Sequence, residues 1–293
     1  MKIISLGEVL WDILPSREHL GGAPFNFAWN AHNLGHKVCF VSAVGHDQRG
    51  NQTLKQMADL GLSARFVRRE ANYPTGTVTV TLDSFGLPQY VIHRPAAYDF
   101  PALGPAEFEA LLNPAPAWIY FGTLQQMSAP AHDLLLKLMT AAPAAKRFYD
   151  INLRANCFTP ELVRNLAWHA NILKLNVQEI PDLREISELQ GDSLEQFCRN
   201  CLRAFQLDAV CVTLGPKGCA LLVDNEYLEA PGFSVKVADT IGAGDAFSAA
   251  LIHGIDARWS ATRITDFANR IGALLASRPG GTPKWTMAEA MGL

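Results

Sequence analysis

The chain has 293 residues, 49% of them apolar and 18% charged, with a formal net charge of -3. At this length about three-quarters of the unfolded surface can be buried, so a large core needs no staples, and the length alone allows one or two domains. With 25 Lys+Arg against 28 Asp+Glu no cationic excess is available for a nucleic-acid backbone, and the Arg65, Arg68, Arg69 group reads as a solvated strand edge. The six cysteines form no disulfide framework. Cys198 and Cys201 share an apolar helix face with Phe197, Leu202 and Phe205 and read as core, and Cys211 and Cys219 read as small buried residues. No charged segment, long apolar run and cleavage site open the chain in sequence, and no run of about 18 residues is apolar enough to span a bilayer. The expectation is a cytoplasmic protein without a membrane or nucleic-acid partner.

In chain order, strands are expected at 3–6, 38–44, 118–121, 147–151, 172–175, 209–214 and 220–223, and helices at 26–34, 48–60, 131–141, 160–169, 194–205, 246–254 and 262–276. Their alternation predicts βαβ units and an α/β core with a mostly parallel, covered sheet. The alternation breaks at 76–82 and 89–94, two strands joined by the turn-rich Asp83-Ser84-Phe85-Gly86. Polar and apolar residues alternate from Thr77 to Leu82, so one face of this hairpin is wet. With the segment near 9–14 it predicts a small β layer; local pattern leaves a lid and a plain surface hairpin both open. Trp118, Phe121 and Trp168 read as core, and His93 and His253 as packed or surface residues.

Two stretches carry chemistry. Asp239-Thr240-Ile241-Gly242-Ala243-Gly244-Asp245 opens directly into a helical pattern, and backbone N–H groups at a helix N-terminus suit a phosphoryl group. A carboxylate at that mouth repels phosphate unless it has a task, such as accepting a proton from an attacking hydroxyl; a simple helix cap at Asp245 is the competing reading. The P-loop pattern is absent, and Phe247 stands where the dinucleotide fingerprint needs a third glycine, which opposes a hydride-transferring enzyme. Near the other end, Gly21-Gly22-Ala23-Pro24-Phe25-Asn26 allows close backbone approach to a ligand and offers a donor and an acceptor to a polyol.

Together these stretches resemble the two signatures of the PfkB, or ribokinase-like, carbohydrate kinases, and Gly7-Glu8-Val9-Leu10-Trp11-Asp12 resembles the fructokinase branch. Arg94, Asp150-x-Asn152-Leu153-Arg154, Asn176-x-x-Glu179 and Thr213-Leu214-Gly215-Pro216-Lys217-Gly218 extend the resemblance over nearly the whole chain. It implies a three-layer α/β/α fold, with 1–293 as one kinase domain and lid strands from roughly 9–20 and 65–98. It implies ATP-dependent phosphorylation of a sugar hydroxyl, D-fructose to fructose 6-phosphate, with 2-keto-3-deoxygluconate, ribose or a nucleoside as alternative acceptors. A non-catalytic sugar or nucleotide sensor on the same scaffold is a separate class of reading.

The resemblance also assigns residues. Asp245 matches the general base, and the backbone of Gly242, Ala243, Gly244 and Asp245 matches the anion hole. Asp12, Gly22, Asn26, Arg94, Asn152 and Arg154 fall on the sugar side. Asn176, Thr213, Gly215, Gly218 and Asn269 fall on the nucleotide side, with Glu179 holding magnesium through water. Asp239 matches a monovalent-cation site, although Ile241, standing where a second Thr is usual, leaves potassium open. Ile151 replaces a usual Pro, and Phe25 a smaller residue. A homodimer is also left open.

Overall fold

The computed structural model describes residues 1–14, 17–82 and 88–293. The strands are β1 (Lys2–Leu6), β2 (Leu10–Leu14), β3 (Arg17–Gly21), β4 (Lys37–Gly45), β5 (Val67–Glu70), β6 (Gly76–Leu82), β7 (Pro88–His93), β8 (Trp118–Gly122), β9 (Lys146–Asp150), β10 (Ile172–Asn176), β11 (Ala209–Thr213), β12 (Cys219–Val223) and β13 (Glu226–Ala230). The helices are α1 (Ala23–Asn33), α2 (Gln48–Asp59), α3 (Pro105–Leu112), α4 (Ala129–Ala141), α5 (Pro160–His169), α6 (Ile180–Ser187), α7 (Leu194–Phe205), α8 (Ala243–Asp256), α9 (Ala261–Ala276) and α10 (Met287–Met291).

Nine strands form one sheet in the order β13-β12-β11-β10-β9-β8-β1-β4-β5. It is parallel from β5 to β11 and finishes with the antiparallel strands β12 and β13. Strands buried on both faces need continuous apolar sequence, and β1, β8 and β12 are buried at every position. Successive side chains serve opposite layers: Ile3 joins a core with Phe27, Leu251 and Ile271, and Ile4 one with Leu135, Leu166 and Phe197. The result is the expected three-layer α/β/α fold.

Helix starts follow side-chain chemistry. Thr159, Ser193 and Ser260 accept the N–H groups of Leu162, Gln196 and Arg263 at the heads of α5, α7 and α9, which satisfies donors the helix leaves open. The heads of α1 and α8 are the glycines Gly22 and Gly242, which bring no capping side chain. These two helices pack against each other.

A second sheet has the order β3-β2-β6-β7. The β2–β6 pair is parallel and both outer pairs are antiparallel. Leu10 and Val78 anchor it in a small core with Tyr98 and Leu124. The expected turn at Asp83-Ser84-Phe85-Gly86 lies outside the described residues.

Two expectations change. The range 65–98 assigned to the second layer is too wide, because β5 pairs with β4 at the edge of the large sheet. There Arg68 meets Glu70 at 3.4 Å and Arg69 bonds Asn51 at 2.6 Å, as a solvated edge would. The polar strand β3, which falls largely within the expected 9–20 segment, completes the second sheet although its own pattern carries no apolar signal. Trp168 is not core: it is 54% exposed, because α5 buries only the stripe of Val163, Leu166 and Ala167, and its ring meets Phe205 edge-on. Cys198, Cys201, Cys211 and Cys219 are buried free thiols. Among the described residues no helix is long and apolar enough to cross a membrane.

Candidate active site

Ligands of open α/β sheets bind outside the carboxyl ends of the parallel strands. Gly7-Glu8 follows β1, Asp150 ends β9, Asn176 ends β10 and Thr213 ends β11. The heads of α1 and α8 join them through one hydrogen bond: Asn26 Nδ2 donates to Asp245 Oδ2 at 2.9 Å.

Asp245 sits in the first turn of α8 and is buried. Burial and, next, the charge of Asp150 push its carboxyl up to about 6, against the pull of the Asn26 amide, Lys174 and Arg154. It does not cap α8 with its side chain, so the simple capping reading does not describe it. Gly242 has φ +78°, and a Cβ there would stand 2.5 Å from the Gly281 carbonyl oxygen, so the turn requires glycine on both counts. The N–H of Ala243 turns back to the Thr240 carbonyl at 3.3 Å.

Beneath this turn lies a group that sequence reading missed. Lys174 Nζ holds Asp150 at 3.0 and 3.1 Å, and Tyr120 and Ser248 hydroxyls donate to the same carboxylate at 3.2 and 2.8 Å. Burial is the largest influence on the Lys174 ammonium and works against it, but the charges of Asp150, Glu179 and Asp245 together with the Asp150 hydrogen bond outweigh it and the lysine is raised. The available signal was a single lysine inside the apolar run of β10.

On the other flank, Gly22 has φ +110° and lies so close to Glu8 that a Cβ would fall 2.5 Å from its carbonyl oxygen. Glu8 is the second missed residue. Burial pushes its carboxyl up to about 7, with Asp245 adding to the rise; its own N–H, Arg154 and the N–H of Ala23 oppose it. Its Oε2 is buried without a partner, as are Asn26 Oδ1, Tyr98 Oη and Asn152 Nδ2. Asp12 on β2 is half-buried, and burial pushes it up to about 6. Arg154 is exposed, yet its charge reaches Glu8, Asp12 and Asp245. Arg94 lies beside the Tyr98 ring, 6.0 Å from its centre. Its guanidinium is committed to Asp99 at 2.6 Å and to the Leu124 carbonyl at 2.9 Å.

The residues matched to the nucleotide gather across β10 and β11, where Asn176 and Thr213 are register partners. Asn176 Oδ1 accepts the N–H groups of Gln178 and Glu179. Both Glu179 oxygens accept backbone N–H groups, from Leu153 and Asn176, each at 2.8 Å. Gly215 turns the chain beyond β11, Gly218 packs on the backbone of Pro231, and Asn269 on α9 donates to the Pro231 carbonyl at 3.1 Å. Asp239 accepts from the N–H groups of Ile241 and Gly280.

A parallel sheet with a buried carboxylate at an open helix head defines an α/β enzyme whose ligands meet at the strand ends. A family model described as pfkB family carbohydrate kinase matches residues 16–287, and the chain belongs to that family of sugar kinases. It is 27% identical over 307 residues to fructokinase-1 of Oryza sativa, covering 96% of this chain and 93% of that protein. A structure of fructokinase with bound ATP from Xylella fastidiosa superposes with a TM-score of 0.86 at 22% identity, covering 99% of this chain and 97% of that one. The 2-dehydro-3-deoxygluconokinase of Thermotoga maritima also gives 0.86, at 19% identity, covering 100% and 98%.

Proposed function

We propose that this carbohydrate kinase transfers the γ-phosphoryl group of ATP to a primary hydroxyl of a ketohexose, converting D-fructose to fructose 6-phosphate. The carrying observation is Asp245: a buried carboxylate, steadied by Asn26 at the open head of α8, with a proton affinity close to neutral pH. A general base works best when its pKa lies near the working pH. The sugar oxygen attacks phosphorus as its proton passes to Asp245, ADP leaves, and charge on the phosphoryl oxygens meets the N–H groups of the α8 turn.

Glu8, Asp12, Asn26, Asn152 and Arg154 surround the acceptor in this reading. The unpartnered atoms of Glu8, Asn26 and Asn152 supply hydrogen-bonding capacity that a polyol satisfies. The second sheet, carrying Asp12, is the lid, and its closure excludes water that competes for the phosphoryl group. Residues 1–293 then form one catalytic unit with a lid.

Asn176, Thr213, Gly215, Gly218 and Asn269 border ATP. Magnesium with ATP fits a chain in which, among the described residues, no group of three or more His, Cys, Asp or Glu is arranged to hold a metal. The nucleotide phosphates would carry the ion, which neutralises their charge, and Glu179, whose oxygens are taken by backbone, would reach it through water. Asp239 is the position for potassium.

The test is sugar-dependent ADP release measured with D-fructose, 2-keto-3-deoxygluconate, ribose and a nucleoside. Highest kcat/KM on fructose is expected. A larger value on another acceptor overturns the substrate, and no release with any sugar overturns this chain's assignment as an active kinase.

A further inference from the structure

Lys174 and Asp150 form an ion pair inside the protein, with side chains 5% and 1% exposed. Such a pair is weak support for stability, because apolar residues of similar volume often serve as well or better. Its location is the informative fact. A Cβ built on Gly244 would stand 3.5 Å from Lys174 Nζ, so the ammonium lies directly under the α8 turn. The Asp150 carboxylate is filled by Lys174, Tyr120 and Ser248.

Ser248 connects the pair to the turn. Its one hydroxyl proton faces Asp150 Oδ2 at 2.8 Å and the Gly244 carbonyl, one helical turn back, at 3.0 Å, a shared three-centre arrangement. The neighbours of Gly244 are held by other means. Gly242 abuts the Gly281 backbone, and Asp245 is held by Asn26. Gly244 has no side chain, and glycine is the residue whose backbone is least restrained. Ser248 supplies the side-chain hold on its peptide. Charge balance gives Lys174 its part, since Asp150 alone would oppose an anionic phosphoryl group and Lys174 cancels that field at close range.

We propose that Ser248, oriented by the Asp150–Lys174 pair, is a positioning residue for phosphoryl transfer: it fixes the Gly244 peptide, and with it the N–H groups of the α8 turn and the carboxylate of Asp245, in the reactive orientation. This rests on the reading of Asp245 as the base. A misplacement of about 1 Å in a reacting geometry costs on the order of 100-fold, so a partial loosening costs less.

Two readouts test it in the full chain. In Ser248→Ala, amide hydrogen exchange over residues 243–246 should rise about tenfold while exchange over α9 stays at the wild-type rate, because local opening is set by local restraints. In steady-state assays kcat should fall about tenfold, with KM for ATP and for the sugar within about twofold of wild type, the pattern of an interaction that acts in the transition state. The neutral pair Asp150→Asn with Lys174→Met should lower kcat similarly, and adding Ser248→Ala to it should cause little further loss, because one device has been removed twice. If the paired variant fails to fold, Ser248→Ala alone decides. Unchanged exchange at 243–246, or a loss shared by kcat, both KM values and Tm alike, overturns the proposal. Full turnover in Asp245→Asn would instead overturn the base and leave the exchange result standing.

Discussion

The two halves of the strand-end surface are finished in different ways. Around α1 and α8, buried polar atoms still lack partners: Glu8 Oε2, Asn26 Oδ1 and Asn152 Nδ2. Glu8, Asp12 and Asp245 are all held above the ordinary carboxylate range, chiefly by burial. Across β10 and β11 burial raises Glu179 as well, but the hydrogen bonding is complete: Asn176 and Glu179 give their oxygens to backbone N–H groups of Asn176, Gln178 and Glu179 in their own turn and of Leu153 beyond β9. Unmet hydrogen-bonding capacity is costly in a folded protein, so the first half stores a demand that a polyhydroxylated acceptor can meet. The second half is complete by itself and offers a stiff backbone frame, which suits a phosphate chain that brings its own metal.

Removing the reactive group from the first half should have the largest effect. Asp245→Asn should lower kcat by about 10²–10⁴-fold while changing the sugar KM little, because the group acts on a proton that moves in the transition state. Rapid-quench or coupled assays that find wild-type kcat would erase the contrast between the halves.

Glu8 probes the stored demand through stability. Its folded pKa of about 7 lies above the ordinary 4.5, so the folded chain keeps a proton that the unfolded chain loses. Stability linked to Glu8 is fully present below pH 4.5 and is lost as pH rises toward 7, by about 3 kcal/mol at most. Glu8→Gln should therefore stabilise the protein against urea at pH 8 relative to pH 5. Equal effects at both pH values would show that burial does not hold the proton on Glu8.

The saturated half should respond with the opposite sign. Glu179→Gln turns an amide toward a backbone N–H at Leu153 or Asn176, and should destabilise the chain by about 1–2 kcal/mol at pH 8. Chemical denaturation measures both substitutions side by side.

The smallest expected effect sharpens the geometry of Asp245. In the proposed mechanism deprotonated Asp245 is the active form, so kcat should rise through an acid limb near pH 6 and level off above it. The Asn26 amide favours the ionised form, so Asn26→Ala should move that limb to higher pH by a fraction of a unit. A shift to lower pH in the pH–kcat profile would contradict the bond between the two side chains.

Much of this molecule is legible in its sequence because strands covered on both faces need largely apolar runs, which β1, β4, β8, β11 and β12 have and β10 keeps apart from Lys174. The strands β3, β5 and β13 lie at sheet edges, where one side is wet and polar residues such as Glu18, Arg68 and Glu226 are tolerated. Pattern therefore misses β3 and β13, and the lid range 65–98 drawn from the resemblance takes β5 into the wrong sheet. The site divides in the same way. Asp245 and Asn26 stand in motifs that sequence spacing and resemblance pick out. Glu8 looks like any charged residue after a glycine until the head of α1 folds over it, and Ser248 looks like an ordinary helix residue until Asp150 arrives from β9. Burial made by distant segments cannot be read from neighbours in the chain.

The Asn26–Asp245 bond joins residues 219 positions apart. At about 5–20 residues per second, synthesis separates them by roughly 10–40 seconds. Throughout that interval the emerging α1 has no α8 to lie against, while its Phe25 and Phe27 meet Phe40 of β4 and Tyr120 of β8, which emerge earlier. The growing chain thus has its aromatic contacts early, and the proposed base for phosphoryl transfer, Asp245, arrives only with the last fifth of the sequence. A chain stopped short would be an incomplete fold, with no capacity to consume nucleotide.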